Sequence, residues 1–300
     1  MLPKNTRQWL EHELNATIEK AEPLLGGTSS RLWLLKTYNS EPVVLREYTD
    51  TEWLALEPEI AEQEAENLRA AEAVPVNTPI LLAVDPYGEK TDHPTVVMSL
   101  VPGEVELNPE NQSDWLDALA QTLAHLHKNK AVVSHTYFRY FDPYTKIKAG
   151  WSRSPKLWQQ AFDYLNRTEQ PDSKTTFIHR DFHPTNVLFQ GAAVSAVIDW
   201  PNACMGPQEV DVAHCRWNLA MLDGLDAADA FLKAYLKHSD LKRYDPYWDI
   251  EALLNVYAEE APDVYAGWKA FGRKDLTAEM MRDRMDAFLK QALTKLNVKE

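Results

Sequence analysis

Apolar and polar positions alternate over short stretches in the first hundred residues and recur at helical spacing in most of the rest. Residues 8–20 carry a helical pattern and lead into a short strand at 24–27 that ends in a double glycine. Two strands follow, 31–38 and 43–48, turned by Asn39-Ser40-Glu41-Pro42. A charged helix over 57–73 stops before Pro75, and strands at 79–84 and 95–100 flank the turn 85–88. Val101-Pro102-Gly103 breaks this pattern. Beyond it, residues 115–128 place Leu116, Leu119, Ala120, Leu123 and Leu126 on one helix face. Residues 155–167 form a second amphipathic helix, with Pro155 suited to its first turn. Residues 187–189 and 194–198 read as the strands of a hairpin, and further helices are expected near 208–222, 226–237, 247–258 and 276–296. The last of these aligns Met280, Met281, Met285, Phe288, Leu289 and Leu293 in a stripe expected to pack into a core. The pattern predicts an α+β protein with a small sheet-rich lobe, residues 1–100, hinged to a larger and mainly helical lobe, residues 101–300.

Composition narrows the function classes. At 300 residues with 45% apolar and 25% charged positions, the chain can bury a core of ordinary globular type. No apolar run approaches the roughly 18 residues of a membrane span, and the first residues lack an apolar signal core. Cys204 and Cys215 match no zinc spacing or disulfide framework. A reduced, cytoplasmic protein without a membrane partner is therefore expected. The net charge of −14 argues against nucleic acid as a partner and would steer cationic molecules toward the surface.

The densest chemistry lies in His179-Arg180-Asp181-Phe182-His183-Pro184-Thr185-Asn186 and, after the hairpin turn, Val197-Ile198-Asp199-Trp200. Two carboxylates and a carboxamide at this spacing suit phosphoryl transfer from a magnesium nucleotide. Asp181 can accept a proton from an attacking hydroxyl, while Asn186 and Asp199 offer the oxygen ligands that Mg²⁺ prefers. His179 and His183 sit on a loop, where they are expected to position the segment instead of ligating a metal. His125 and His127 point to different faces of a helix, and the two cysteines read as small buried residues.

The order of glycine turn, basic strand, acidic helix, hinge and catalytic hairpin resembles the protein-kinase-like superfamily. The wording of 177–211 is similar to its aminoglycoside phosphotransferase and choline kinase branch. The resemblance implies a bilobal kinase-like fold that uses ATP and Mg²⁺ to phosphorylate a hydroxyl of a small molecule. It makes Asp181 the catalytic base and Asn186 and Asp199 the metal ligands, with Asp211 filling a later acidic position. It places Gly26, Gly27, Thr28, Ser29 and Ser30 over the phosphates. It sets Arg46 as their anchor, paired with Glu64 in preference to Glu62, and brings Ser99 and Val101 against the adenine through their backbones.

Two positions depart from that family. Arg46 stands where Lys is usual, and Arg180 where Gly is common; Arg180 is expected to form a structural salt bridge with an acid of the helical lobe. These departures support an alternative, a nucleotide-binding chain with an interaction role and no catalysis. The intact set of Asp181, Asn186 and Asp199 opposes it. Only eleven residues separate Asp199 from Asp211, too few for the activation segment of a protein kinase. On the acceptor side, Trp217, Glu251, Tyr257, Glu259, Glu260, Asp263, Tyr265 and Trp268 combine carboxylates and aromatic faces, which suit an amine or quaternary ammonium, although 259–263 reads equally as a solvated helix end and each residue by itself as structural. Aminoglycosides, amino sugars and choline-like molecules all fall within that acceptor class.

Overall fold

The computed structural model describes residues 2–24, 30–38, 40–142, 144 and 147–297. Strands β1 (Ile18–Leu24), β2 (Ser30–Thr37), β3 (Ser40–Tyr48), β4 (Leu81–Asp85) and β5 (Thr95–Ser99) form an antiparallel sheet in the order β1-β2-β3-β5-β4. The two-residue period of a strand sorts its side chains between two faces. Val43 and Leu45 join Leu35 and Val97 against Trp9 and Leu10 of helix α1 (Lys4–Glu13). Val44 and Tyr48, with Val96 and Met98, face the other way, into the main core. Helices α2 (Thr51–Leu56) and α3 (Ile60–Ala71) follow β3, and α3 packs on β4 and β5. Arg46 shares the face of Val44 and Tyr48, so strand alternation alone turns it toward α3 and away from α1.

The predicted helix over 8–20 is divided. Asn15 adopts a left-handed backbone with φ +47°, which ends α1 and turns the chain into β1. The Glu11 carboxylate then accepts the Ile18 N–H at 3.0 Å, fastening the turn.

Past Ser99 the chain builds β6 (Glu104–Val105), α4 (Gln112–Leu126), α5 (Pro155–Arg167), β7 (Thr175–Ile178), β8 (Val187–Gln190), β9 (Ala193–Val197) and β10 (Cys204–Pro207). Five further helices follow: α6 (Gln208–Asp223), α7 (Leu225–His238), α8 (Tyr247–Tyr257), α9 (Ala266–Ala270) and α10 (Ala278–Lys295). β8 and β9 are the expected hairpin, joined on one edge by β6, while β7 pairs with β10 in a separate two-stranded sheet. Gly103 lets β6 lie on β8. Its φ is +124°, and a Cβ there would stand 2.9 Å from Leu188 Cβ and collide with Ser195 Oγ.

Helix α6 is the centre of the helical region, packed by α7, α8 and α10 and buried over most of its length. Met281, Met285, Phe288 and Leu289 of α10 are buried, so the methionine stripe is a packing face. Buried Arg216 of α6 is paired with Asp249 of α8 at 3.0 Å. Among the described residues no helix is long and apolar enough to cross a membrane.

Candidate active site

β7 delivers the chain to His179, and the acid of α6 holds it there. Asp211 Oδ2 accepts the His179 N–H at 2.8 Å, and its Oδ1 accepts the N–H of Arg180. His127 Nε2 lies 3.0 Å from the same carboxylate, and its Nδ1 2.7 Å from the Tyr235 hydroxyl. The loop is thus tied to α4, α6 and α7 by fully buried groups. His179 fixes the next step. A carbonyl can only accept, so Nε2 donates to Ile198 O at 2.9 Å, and Nδ1 is left to receive the Asp181 N–H at 3.3 Å.

This loop presents Asp181 at the cleft. Asn186 Nδ2 donates to Asp181 O at 2.9 Å and to its Oδ2 at 3.1 Å. On the other carboxylate oxygen, Oδ1 stands 3.0 Å from His214 Nε2 and 3.7 Å from His183 Nε2. Burial works to raise the Asp181 carboxyl. His183 and the hydrogen-bonded His214 outweigh it and hold the group well below the usual carboxylate range. Burial pushes the His183 imidazole down to about 4, against the pull of Asp181. At neutral pH His183 is therefore neutral, and the hydrogen bonds from His214 and from the Asn186 amide hold the Asp181 charge in place.

A second cluster faces it from the sheet. Arg46 Nη1 lies 3.2 Å from Glu64 Oε1 and 2.7 Å from Asp199 Oδ1, bridging the two acids. Glu64 is buried on α3 and accepts the Tyr48 hydroxyl at 2.6 Å. Its carboxyl is raised by burial, which Arg46 and Tyr48 only partly offset. Arg46 Nε is buried and has no hydrogen-bond partner among the described residues, while Nη1 carries both contacts to the acids. One turn beyond Glu64, Asn67 Nδ2 donates to Trp200 O and Ala203 O at 2.9 Å each and to Pro201 O at 3.3 Å. That amide fastens α3 to the turn after Asp199. Asp199 itself has φ +70°.

Two cavities meet at these clusters. One, of about 430 Å³, is walled by apolar Leu32, Val44, Met98 and Leu188, with Ser99 and Val101 at its edge. Ser99 N–H is already donated to Ile80 O at 2.9 Å, whereas the Val101 backbone makes no hydrogen bond among the described residues. The other, of about 770 Å³, holds Asp181, Arg46 and Asp199 together with Ser30, Trp217, Tyr257, Glu260, Asp263, Tyr265 and Trp268. Gly26, Gly27, Thr28 and Ser29 lie outside the described residues.

The model of the phosphotransferase enzyme family matches residues 20–247, from the first strand to the start of α8. The chain belongs to that family. The chain is 30% identical over 135 residues to a homoserine kinase of Bradyrhizobium sp. (strain ORS 278), a match covering 44% of the chain and 35% of that relative. It thus spans only about a third of the length of the curated relatives it matches. Among solved structures it resembles aminoglycoside phosphotransferase APH(4)-Ia, with a TM-score of 0.65, 16% identity, and 95% and 98% of the two chains covered. It also resembles the spectinomycin phosphotransferase APH(9)-Ia, whose crystals hold ADP and spectinomycin, with a TM-score of 0.61, 12% identity and 99% of each chain covered. These likenesses establish a bilobal, protein-kinase-like fold.

One expectation about the chain is corrected. Arg180 makes no salt bridge among the described residues. Its Nη2 donates to Phe138 O at 2.9 Å, and Cζ lies 4.3 Å and 4.4 Å from the ring centres of Phe138 and Tyr140. Asp211, which takes the Arg180 N–H, already serves two backbone amides and His127, and the aromatic rings provide the negative faces instead. Its φ of +65° gives a physical reason for glycine at this position in the family. Glu251 is not free for an acceptor: it binds the Tyr137 hydroxyl at 2.7 Å and Arg139 at 2.9 Å. Glu259 pairs with exposed Lys148 at 2.8 Å. His214 and Asn67 were passed over, yet each has a signal in the sequence. His214 lies three residues after Asp211 and Asn67 three after Glu64, each pair on one helix face.

Proposed function

We propose that this phosphotransferase moves the γ-phosphoryl group of ATP to a hydroxyl of a small, amine-bearing molecule in the cytoplasm. Residues 1–100 would bind the nucleotide and residues 101–300 would supply the catalytic loop and the acceptor pocket. The observation that carries this is the convergence of Asp181 with the Arg46–Glu64–Asp199 bridge where an apolar cavity meets an acidic, aromatic one. The apolar cavity suits a purine, and Ser99 and Val101 would meet it at the hinge, Val101 through a backbone still free to bond. Ser30 and the preceding Gly26 to Ser29 would cover the phosphates, and Arg46, steadied by Glu64, would anchor them.

Asn186 and Asp199 offer hard oxygen donors, which fit Mg²⁺; when bound, the ion would neutralise phosphate charge. Asp181 would orient the acceptor hydroxyl. Its carboxyl is held so low that it stays ionised across the working range, which favours late acceptance of the proton over early abstraction. Glu260 and Asp263, beside the rings of Trp217, Tyr257 and Tyr265, suit an ammonium group by ion pairing and cation–π attraction. Aminoglycosides, amino sugars, choline-like alcohols and hydroxy amino acids meet that description.

Labelled ATP offered with a panel of such hydroxylated amines, sugars and antibiotics should yield a labelled small molecule that disappears in Asp181→Asn. A protein that is thermally stabilised by Mg-ATP yet labels nothing would sink the catalytic reading and leave a nucleotide-binding module. The absence of any shift at millimolar Mg-ATP would remove both.

A further inference from the structure

Two imidazole nitrogens converge on a carboxylate oxygen of the proposed base, a donor set unlike the all-oxygen pair of Asn186 and Asp199. Asp181 Oδ1 is 3.0 Å from His214 Nε2 and 3.7 Å from His183 Nε2. All three ligand atoms lie within 4.8 Å of one another. A tetrahedral zinc ion with bonds of about 2.0–2.1 Å keeps its ligands roughly 3.3–3.5 Å apart. The cluster is therefore within about 1–1.5 Å of closing on a single ion.

Its members are already oriented from behind. Thr185 Oγ1 is 2.8 Å from His183 Nδ1, which turns Nε2 toward Asp181. The Asn186 amide occupies Asp181 Oδ2, leaving Oδ1 to the imidazoles. Outer partners of this sort hold metal-binding rings and carboxylates in place. The His183 and His214 rings stand 5.7 Å apart and are tilted by 55°, so they converge and do not stack. All three side chains keep some exposure, which leaves room for a fourth ligand on the cleft side.

We propose that Asp181, His183 and His214 form a second cation site, selective for Zn²⁺ over Mg²⁺, whose occupancy blocks the acceptor hydroxyl from Asp181. Two imidazoles and one carboxylate are a borderline-soft set. Mg²⁺ demands a near-octahedral oxygen shell and gives up its water reluctantly, so it competes weakly there. The blocking effect rests on the role proposed for Asp181, whereas the binding does not.

Equilibrium dialysis of the full chain against Zn²⁺, with Mg²⁺ in large excess, should give one bound ion per chain. Co²⁺ in place of zinc should give the intense visible bands of a four-coordinate nitrogen and oxygen site. Sulfur charge-transfer should be absent, since Cys204 and Cys215 are buried and neither is among the converging side chains. His183→Ala and His214→Ala should each weaken zinc binding about tenfold or more while keeping the native circular dichroism spectrum. Zinc that binds both variants as well as the native chain, exchanges freely for Mg²⁺, or gives only octahedral cobalt spectra overturns the site. The cobalt spectrum of the native chain decides the matter even if a variant fails to fold. With an acceptor in hand, added zinc should stop phosphoryl transfer without loosening Mg-ATP. Bound zinc with undiminished transfer would overturn the blocking role alone, and failure to find any acceptor would count against the phosphotransfer proposal and leave the dialysis result standing.

Discussion

Replacing Asn67 tests whether α3 and the turn after Asp199 are held as one unit. Its amide serves three carbonyls, two at 2.9 Å and one at 3.3 Å, in a place with no solvent exposure. Asn67→Leu fills similar space but takes the donor from Ala203 O and leaves Trp200 O with only the Ala203 N–H at 3.2 Å. At about 1–3 kcal/mol for an unsatisfied buried group, the loss should be about 1–3 kcal/mol. Asn67→Asp keeps the shape and sets a carboxylate against three carbonyl oxygens. Such a group has its folded pKa raised above the ordinary value near 3.9. The sign follows from proton linkage: the penalty is absent below about pH 4 and grows as pH rises through the folded pKa. Urea unfolding of both variants across pH measures this directly, and the Mg-ATP thermal shift should shrink in both because the turn carries Asp199. An Asn67→Leu loss under about 0.5 kcal/mol, or an Asn67→Asp deficit that does not change with pH, would refute the fastening role.

Other expectations are narrower. Asp181→Asn should lower phosphoryl transfer by about 10²–10⁴ while leaving the Mg-ATP thermal shift intact, as single-turnover rates and shift assays would show. Because His183 titrates at about 4 when folded and 6.5 when free, the unfolded chain takes up a proton first. Stability should fall on acidification from about 6.5 to 4, a slope that His183→Asn should flatten in urea titrations. Arg216→Met strands Asp249 in the core and should cost about 3–5 kcal/mol; adding Asp249→Leu should recover much of it in a double-mutant cycle. Glu260→Gln with Asp263→Asn should raise KM for an amine-bearing acceptor far more than it lowers kcat.

What could be seen in the chain follows what each feature depends on. Helix α5 runs over the residues expected because Pro155 sets its start and an amphipathic stripe carries it to Arg167. The β8–β9 hairpin was equally visible, since its pairing is local. The β7–β10 sheet was missed: four-residue strands separated by the whole catalytic loop pair through tertiary packing, which leaves no periodic mark. Glu64 could be picked out as the partner of Arg46 only with the family resemblance in hand. The burial of Glu64 and Asn67 on α3 was hidden by a helix that otherwise reads as a charged surface. His214 shows the same limit. Its distance in sequence from Asp181 concealed a contact that α6 creates by bringing it back to the loop through Asp211.

The bridge from Arg46 to both Glu64 and Asp199 has a thermodynamic consequence. A cation that takes Asp199 Oδ1 displaces the guanidinium, and the displaced guanidinium is then free to meet an anion. A phosphate that draws Arg46 away likewise uncovers Asp199 for a cation. Each arrival lowers the free energy of the other by the same amount, as reciprocal linkage requires. Metal and nucleotide should therefore bind this chain cooperatively, and weakening the Arg46–Asp199 contact should tighten metal binding in isolation while eroding that cooperativity.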